Sequence, residues 1–339
     1  MTPHGRLARL RDPWVLFSAL CTVIAIVLIV LPLVQIAVSS FSDAGARAGA
    51  GGGSGAAFLR NYALFFSRKR YLVALFNSLK VVFVSTGAAT ALALPLAFLL
   101  SRWQVRGKNA ILTLITMATA APPFLGAYAW VLLLGRYGAL NRLLFHVLGQ
   151  DIVLTLRGQF GVIWVITWLV LPLVFLLTYD SFTNQDPSHR EASMSLGGNR
   201  LATFLRVELP LAAPGLITGM LMAALAGFSD FGTPSIIGGE FPVLPTLVYG
   251  EFVSEVGGNL SMASTSGVIM IVLSTVALVG QRMTLASRTF SSVQTRFLKL
   301  PRPRGAARAF TAVLAALVLT LSFLPHVTLL VISFMKWKW

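Results

Sequence analysis

The stretch EASMSLGGNRLATFLRVELPLAAPG, Glu191 to Gly215, begins just after one long apolar run (160–180) and leads into another (211–229). Pro187 and Ser188 precede a short helix that Glu191 opens, where its negative charge suits the positive helix end. Gly197 and Gly198 are expected to take left-handed backbone and end that helix. A second helix, 199–207, presents Leu201, Phe204, Leu205 and Val207 as apolar positions. Pro210 then starts the following run, where a missing N–H costs little. These residues predict a compact helix–turn–helix in water between two segments that are not in water. Its apolar side chains suit docking in a partner's groove.

The flanking runs set the fold class. Apolar residues make up 56% of the 339 and charged residues 11%, with a mean hydropathy of +0.79. A soluble domain carries roughly 25% charged residues, so lipid must be the solvent for much of this chain. A helix crosses the hydrocarbon core in about 20 apolar residues. Seven stretches qualify: 14–38, 77–100, 110–134, 160–180, 211–229, 262–283 and 309–333. Pro32, Pro95, Pro122, Pro123, Pro172, Pro214 and Pro325 fall inside them. Membrane helices tolerate such residues as kinks because neighbouring helices satisfy the freed backbone groups. The runs lack the alternation of barrel strands. The expected architecture is all-α.

A net charge of +16 raises the question of nucleic acid, but the basic residues sit in short loops between apolar runs. That is the pattern of membrane orientation. With the N-terminus in the cytoplasm, Arg6, Arg9 and Arg11 lie inside, as do Arg102, Arg106, Lys108, Arg190, Arg200 and Arg206, and the seven basic residues of 282–308. Sixteen of 27 are then cytoplasmic. Arg60, Arg68, Lys69 and Arg70 dissent, while 230–261 holds no Lys or Arg. The first apolar run is too long for a cleaved signal and reads as a retained span.

Cys21, the only cysteine, reads as a small buried hydrophobe. The four histidines are scattered without ligand spacing, so no metal site is expected. No catalytic constellation or H-E-x-x-H stretch appears, which argues against an intramembrane enzyme. Spans two to six hold almost no charge, against an ion-coupled secondary transporter. The glycine-rich 44–57 reads as a loop, since no Lys-Ser or Lys-Thr ends it. Indeed no G-x-x-x-x-G-K-[ST] occurs anywhere, so ATP is not a ligand of a phosphate loop in this chain.

One segment recurs. Leu31–Phe41, LPLVQIAVSSF, and Leu324–Phe334, LPHVTLLVISF, are identical at six of eleven positions and 293 residues apart. Parallel repeats are a transporter plan. The expected organisation is a six-span unit over 1–283 with cytoplasmic loop 181–208, a basic linker over 284–308, and the first span of a second unit over 309–339. A lone seventh helix is expected to bury its face poorly. Two arrangements stay open: continuation into a second half on the same polypeptide, which the repeat favours, and a pair of separate six-span units.

The loop resembles the signature of ABC importer permeases, an E-A-A pattern with glycine six positions after the glutamate and a closing I-x-L-P. Glu191, Ala192 and Gly197 match, Ser193 stands for the second alanine, and Val207, Leu209 and Pro210 close the motif. With Phe204 and Leu205, these are the residues the resemblance assigns to coupling with an ATPase. The resemblance covers roughly 14–283. It implies a multi-pass protein of the bacterial inner membrane, partnered by a cytoplasmic ATPase dimer, a periplasmic substrate-binding protein and a second permease half, with ATP used by the ATPase.

After the fifth span, Phe228–Asn259 resembles the ferric-iron branch through Asp230-Phe231-Gly232-Thr233 and Leu-Pro-Thr-Leu-Val-Tyr. Permeases for phosphonates, polyamines and oxyanions share much of this pattern. Asp230, Glu240, Glu251 and Glu255 are either a solvated loop, a feature favouring a cation, or a docking surface. Asp230, nearest a span end, is the pathway candidate; Asp180 anchors the other face. Gly215 and Gly219 allow close helix approach. Phe124, Trp130, Trp164 and Trp168 either line a path or face lipid.

Overall fold

A computed structural model of the chain describes residues 13–42, 59–120, 122–135, 138–148, 155–254, 258–286 and 301–334. The N-terminal arginines, the glycine-rich stretch, Glu255 and most of the basic linker lie outside the described residues. Every regular element among the described residues is helical. In chain order they are α1 (Pro13–Phe41), α2 (Arg60–Ser67), α3 (Lys69–Arg102), α4 (Lys108–Ala118), α5 (Pro123–Leu134), α6 (Ala139–Leu148) and α7 (Gly158–Thr183). Then come α8 (Pro187–Ser195), α9 (Arg200–Thr203) with one π turn (Phe204–Glu208), α10 (Leu209–Ser229), α11 (Gly232–Ile237), α12 (Leu244–Val253), α13 (Leu260–Ala286) and α14 (Gly305–Phe334).

Six helical stretches among these are long and apolar enough to cross a membrane: α1, α3, α7, the continuous α9–α10, α13 and α14. The third predicted span, 110–134, needs correction. It is two helices, α4 and α5, bent by 103°. Pro122 is extended (φ −61°, ψ 135°) and Pro123 begins α5. Two adjacent prolines remove two N–H donors and push the preceding residue out of helical backbone, so the chain turns instead of kinking. Single prolines behave as expected: Pro95, Pro172 and Pro214 stay inside unbroken helices.

The described residues form two compact units. One comprises those of Met1–Leu72 and Leu247–Leu273. Here the end of α1 is held by polar contacts: Asn61 Nδ2 donates to the carbonyls of Ser40 and Ser42 (2.9 and 3.1 Å) and Thr265 donates to Ser40 (3.2 Å). Most of α1 is exposed, Cys21 included, contrary to the expected burial. Buried Glu251 accepts from the Tyr71 hydroxyl (2.9 Å) and lies 3.4 Å from Arg70. It is therefore a structural anchor and not part of a solvated loop.

The other unit comprises the described residues of Val73–Thr246 and Ser274–Trp339. On α3, Ala89, Ala93, Leu96, Ala97 and Leu100 recur at helical spacing and are fully buried. They join Val162, Ile166, Val170, Val174 and Phe175 of α7 in one core. Between apolar helices in lipid, close van der Waals contact is what holds the bundle, and small residues permit it. Gly215 and Gly219 of α10 serve that purpose: their α-carbons face Leu177, Ser181 and Val174 of α7. Trp130, Trp164 and Trp168 interlock edge to face (5.4 and 6.5 Å from the Trp130 ring), so these tryptophans pack on one another within the unit. Phe124 remains exposed.

The expectation that the seventh helix would bury its face poorly also fails. Thr311, Leu314, Ala315, Val318, Ser322, Pro325 and Thr328 form a buried stripe on α14, and Trp168 Nε1 donates to the Ser322 carbonyl (3.2 Å). Small residues on α14 let it approach closely, as in the α7–α10 pair.

The α7–α10 contact gives a test. A methyl on Gly215 would stand 2.6 Å from the Leu177 carbonyl oxygen, a backbone atom, whereas one on Gly87 of α3 meets nothing within 4 Å. Gly215→Ala should lower the unfolding free energy by about 1–3 kcal/mol, the range for overpacking. Gly87→Ala should be neutral or stabilising by about 1 kcal/mol. Denaturant unfolding of the two purified variants in detergent measures the contrast.

Candidate functional site

The segment between α7 and α10 is built from capped turns. Asp186, not Glu191, opens α8: its carboxylate accepts the Ser188 N–H (2.9 Å), and Pro187 fills the first helical position. Glu191 sits a turn further in and is exposed. The helix ends at Ser195, with Leu196 as its cap. Gly197 then takes φ +84°, its N–H bonds the Met194 carbonyl (3.1 Å) and the Gly198 N–H bonds the Ser193 carbonyl (3.0 Å). This paired closure satisfies the last carbonyls and needs left-handed backbone at one residue only. Gly198, predicted left-handed as well, is not; it is small because a Cβ there would meet Ser193 and Thr203 oxygens at 2.8–3.2 Å.

Asn199 caps the next helix by accepting the Ala202 N–H (2.7 Å), and the Ser193 and Thr203 hydroxyls join the two short helices (3.0 Å). The second helix does not stop at 207 before a fresh start at Pro210. Arg200–Thr203 passes through a π turn into α10, with the Leu209 N–H bonded to the Phe204 carbonyl. Pro210 lacks the N–H that an α-helical turn would use here, and the wider turn falls just ahead of it.

At that turn lies a residue the sequence reading passed over. Glu208 is 3% exposed. Its carboxylate pairs with Arg102 at the end of α3 and lies 3.9 Å from Arg190 of α8, while Gln185 Nε2 donates to its carbonyl (2.9 Å). Above it Phe204 packs on Phe98 (4.5 Å) and Phe182 (6.4 Å). An acidic residue at the start of a span with arginines at other span ends was the available signal. Of the predicted coupling residues, Leu209 packs on the core, Ser193, Phe204 and Val207 are partly buried, and Glu191, Ala192, Gly197, Leu205 and Pro210 are exposed. Large apolar side chains stand out on the same segment: Leu196 is 89% exposed, with Met194, Leu201 and Leu205 beside it.

The second candidate group is more buried than a loop would be. Asp230 follows α10 directly, is 8% exposed, and accepts the Thr233 N–H at Oδ1 (3.3 Å). Its Oδ2 and the fully buried Thr233 hydroxyl have no hydrogen-bond partner among the described residues. Asp230 borders a cavity of about 470 Å³, shared with Phe231, Thr119 beside the α4–α5 break, and Leu173 of α7. Gly232 packs against Phe124. Glu240 is exposed.

Comparison with known proteins places the chain among transport proteins of the membrane. The chain is 30% identical over 185 residues to a probable molybdenum ABC transporter permease protein of Haloferax volcanii, covering 54% of this chain and 65% of that one. It is 29% identical over 220 residues to a ferric transport system permease protein of Actinobacillus pleuropneumoniae, covering 65% and 31%. A spermidine/putrescine transport system permease protein of Haemophilus influenzae is 28% identical, covering 53% and 63%. The chain thus matches less than two thirds of the length of each. Its fold is shared with a chain of a bacterial alginate ABC transporter, solved with an alginate pentasaccharide-bound periplasmic protein (TM-score 0.62, 18% identity, 85% of this chain and 99% of that). Residues 89–288 match the family described as binding-protein-dependent transport system inner membrane component, and the chain belongs to that family.

Proposed function

We propose that this chain is a permease subunit of an ATP-driven importer, with its N-terminus in the cytoplasm, and that the segment 181–208 passes the stroke of a separate ATPase dimer to the spans. The observation that carries this reading is the exposed apolar group Met194, Leu196, Leu201 and Leu205 on a doubly capped helix–turn–helix. An apolar crest held in water by a rigid turn is suited to a groove on another protein. ATP belongs to that partner. A periplasmic binding protein and a second permease half, on the same polypeptide by the 31–41 and 324–334 repeat, complete the assembly.

The stroke has a physical route. Glu208 ties the segment to Arg102 of α3 and to Arg190 of α8. From Arg200 the helix runs without a stop to Ser229, a rod of about 45 Å at 1.5 Å per residue. A displacement at Leu201 is thereby delivered next to Asp230. Nucleotide states of the ATPase then select between two packings of the bundle.

For the substrate we favour ferric iron, on the Asp230–Thr233 run and the buried Asp230 carboxylate, whose Oδ2 is free to meet a cation and which in its ionised form would repel an oxyanion. Uptake of an oxyanion is the second reading, favoured by the molybdenum-named relative. Radiolabelled iron and molybdate uptake in a deletion strain distinguishes them: molybdate uptake without iron uptake would overturn the first.

Topology is checked by introducing single cysteines at Ser188 and Ser254 in a Cys21→Ser background. An impermeant thiol reagent on intact cells should label position 254 and spare 188; the reverse pattern would sink the orientation. Gly197→Val forces a β-branched residue into φ +84°, a penalty of about 1–2 kcal/mol. Membrane insertion should persist while ATPase co-purification falls about tenfold. Glu208→Gln leaves Arg102 facing a buried site without its counter-charge, which costs about 3–5 kcal/mol for a fully buried pair. The double variant Glu208→Gln/Arg102→Gln should regain part of that stability without regaining uptake, as a denaturation cycle paired with a transport assay would read.

A further inference from the structure

A cavity of about 560 Å³ opens beside the proposed coupling segment, between the end of α3 and α9. Three arginines line it, Arg102, Arg190 and Arg200. The one carboxylate on its wall among the described residues, Glu208, is shared by Arg102 and Arg190, and Arg200 forms no ion pair among the described residues. The wall therefore carries a surplus of two positive charges. The remaining lining is largely apolar, with Phe98, Trp103 and Leu201 prominent.

The level of this cavity in the bundle is fixed by its neighbours. Helix α3 ends at Arg102 and Trp103 follows at once, as tryptophans do where spans leave the hydrocarbon. The Gln104 N–H bonds the Pro301 carbonyl (3.0 Å), which holds the described end of the basic linker, with Arg302 and Arg304, beside the cavity. A basic, half-apolar pocket at the cytoplasmic headgroup level matches an amphiphilic anion. A free inorganic anion would use the guanidinium groups and leave the aromatic wall wet.

We infer that this cavity binds the headgroup of an anionic phospholipid, with its phosphate on the arginines and its glycerol region against Phe98 and Trp103. The assignment rests on the cytoplasmic placement of the segment proposed above. Bound there, the lipid neutralises the surplus charge and braces α9 against the end of α3. The state of the coupling segment would then respond to membrane composition.

The test uses the natural full-length polypeptide with its ATPase, purified in detergent and exposed to phosphatidylglycerol or phosphatidylcholine, with retained lipid counted by native mass spectrometry. Phosphatidylglycerol should be retained in preference, by about fivefold for each surplus arginine. Arg200→Gln, at an exposed side chain, should reduce that preference about fivefold and leave phosphatidylcholine retention unchanged. Equal retention of the two lipids by the wild type would overturn the proposal, and that arm needs no variant. Displacement by millimolar inorganic phosphate would overturn it in favour of a free-anion site. Absence of phosphatidylglycerol from every ATPase-bound species in the same spectra would overturn it in favour of an acidic protein surface. ATPase co-purification is scored in the same samples: its absence alongside an intact lipid preference would count against the coupling reading and not against the lipid site.

Discussion

Glu208 sits at the point where the chain leaves water for the bundle, and its carboxylate is held by arginines from two other elements, Arg102 and Arg190. A charge so buried is tolerated only when paired and hydrogen-bonded. That requirement works in both directions. The end of α3 and the π turn before α10 must stay together for Glu208 and Arg102 to be satisfied, while Arg190 of α8, 3.9 Å away and partly exposed, adds a weaker attraction. The aromatic trio Phe98, Phe182 and Phe204 covers the same joint with apolar surface. A segment joined to its bundle this way moves with the bundle or not at all, which is the mechanical property that a coupling element needs.

The bundle itself obeys a different constraint. Lipid offers the helices no hydrophobic reason to associate, so their contacts depend on how closely backbones approach. That is why the close pairs use glycine and alanine: Gly215 and Gly219 against α7, Ala89, Ala93 and Ala97 within the α3–α7 core, Ala315 on α14. The same logic explains the buried stripe on α14, where Thr311, Ser322 and Thr328 lie among apolar residues. Thr311 and Thr328 return their hydroxyls to carbonyls one turn back (2.7 and 2.8 Å), leaving a nearly apolar surface to the neighbouring helix.

Hydropathy located every long helix among the described residues, because twenty apolar residues in a row have few other uses, and the Glu191–Gly215 spacing pointed to the family that residues 89–288 match. What escaped was set by interactions that spacing does not encode. Pro122 and Pro123 look like any other prolines in a span, yet the adjacent pair breaks the helix while Pro95 and Pro172 do not. Glu208 is one letter between two motif positions, and its importance arises only when Arg102, more than a hundred residues away, arrives beside it. The roles of Gly197 and Gly198 differ for the same reason. One supplies a backbone angle, the other a space, and only the fold separates them. For Asp230 and Glu251, equal charges in one acidic segment met opposite fates, since Tyr71 and Arg70 satisfy one and Oδ2 of the other finds nothing.

That difference bears on how a permease can work at all. Arg102 and Glu208 satisfy each other, with Arg190 near by, and make a joint at one end of the Arg200–Ser229 rod. At the other end, Asp230 faces a cavity bounded by the broken α4–α5 pair, and half of its carboxylate is unpaired. A fully satisfied network specifies one arrangement, whereas an unsatisfied buried group is costly and gains from any partner that reaches it. One end of the rod is therefore tied down by an ion pair, and the other meets a cavity with bonding capacity to spare. Between them lies a helix that stays unbroken through both of its irregularities, the π turn at the joint and Pro214 further along, so the two ends are linked by continuous helix.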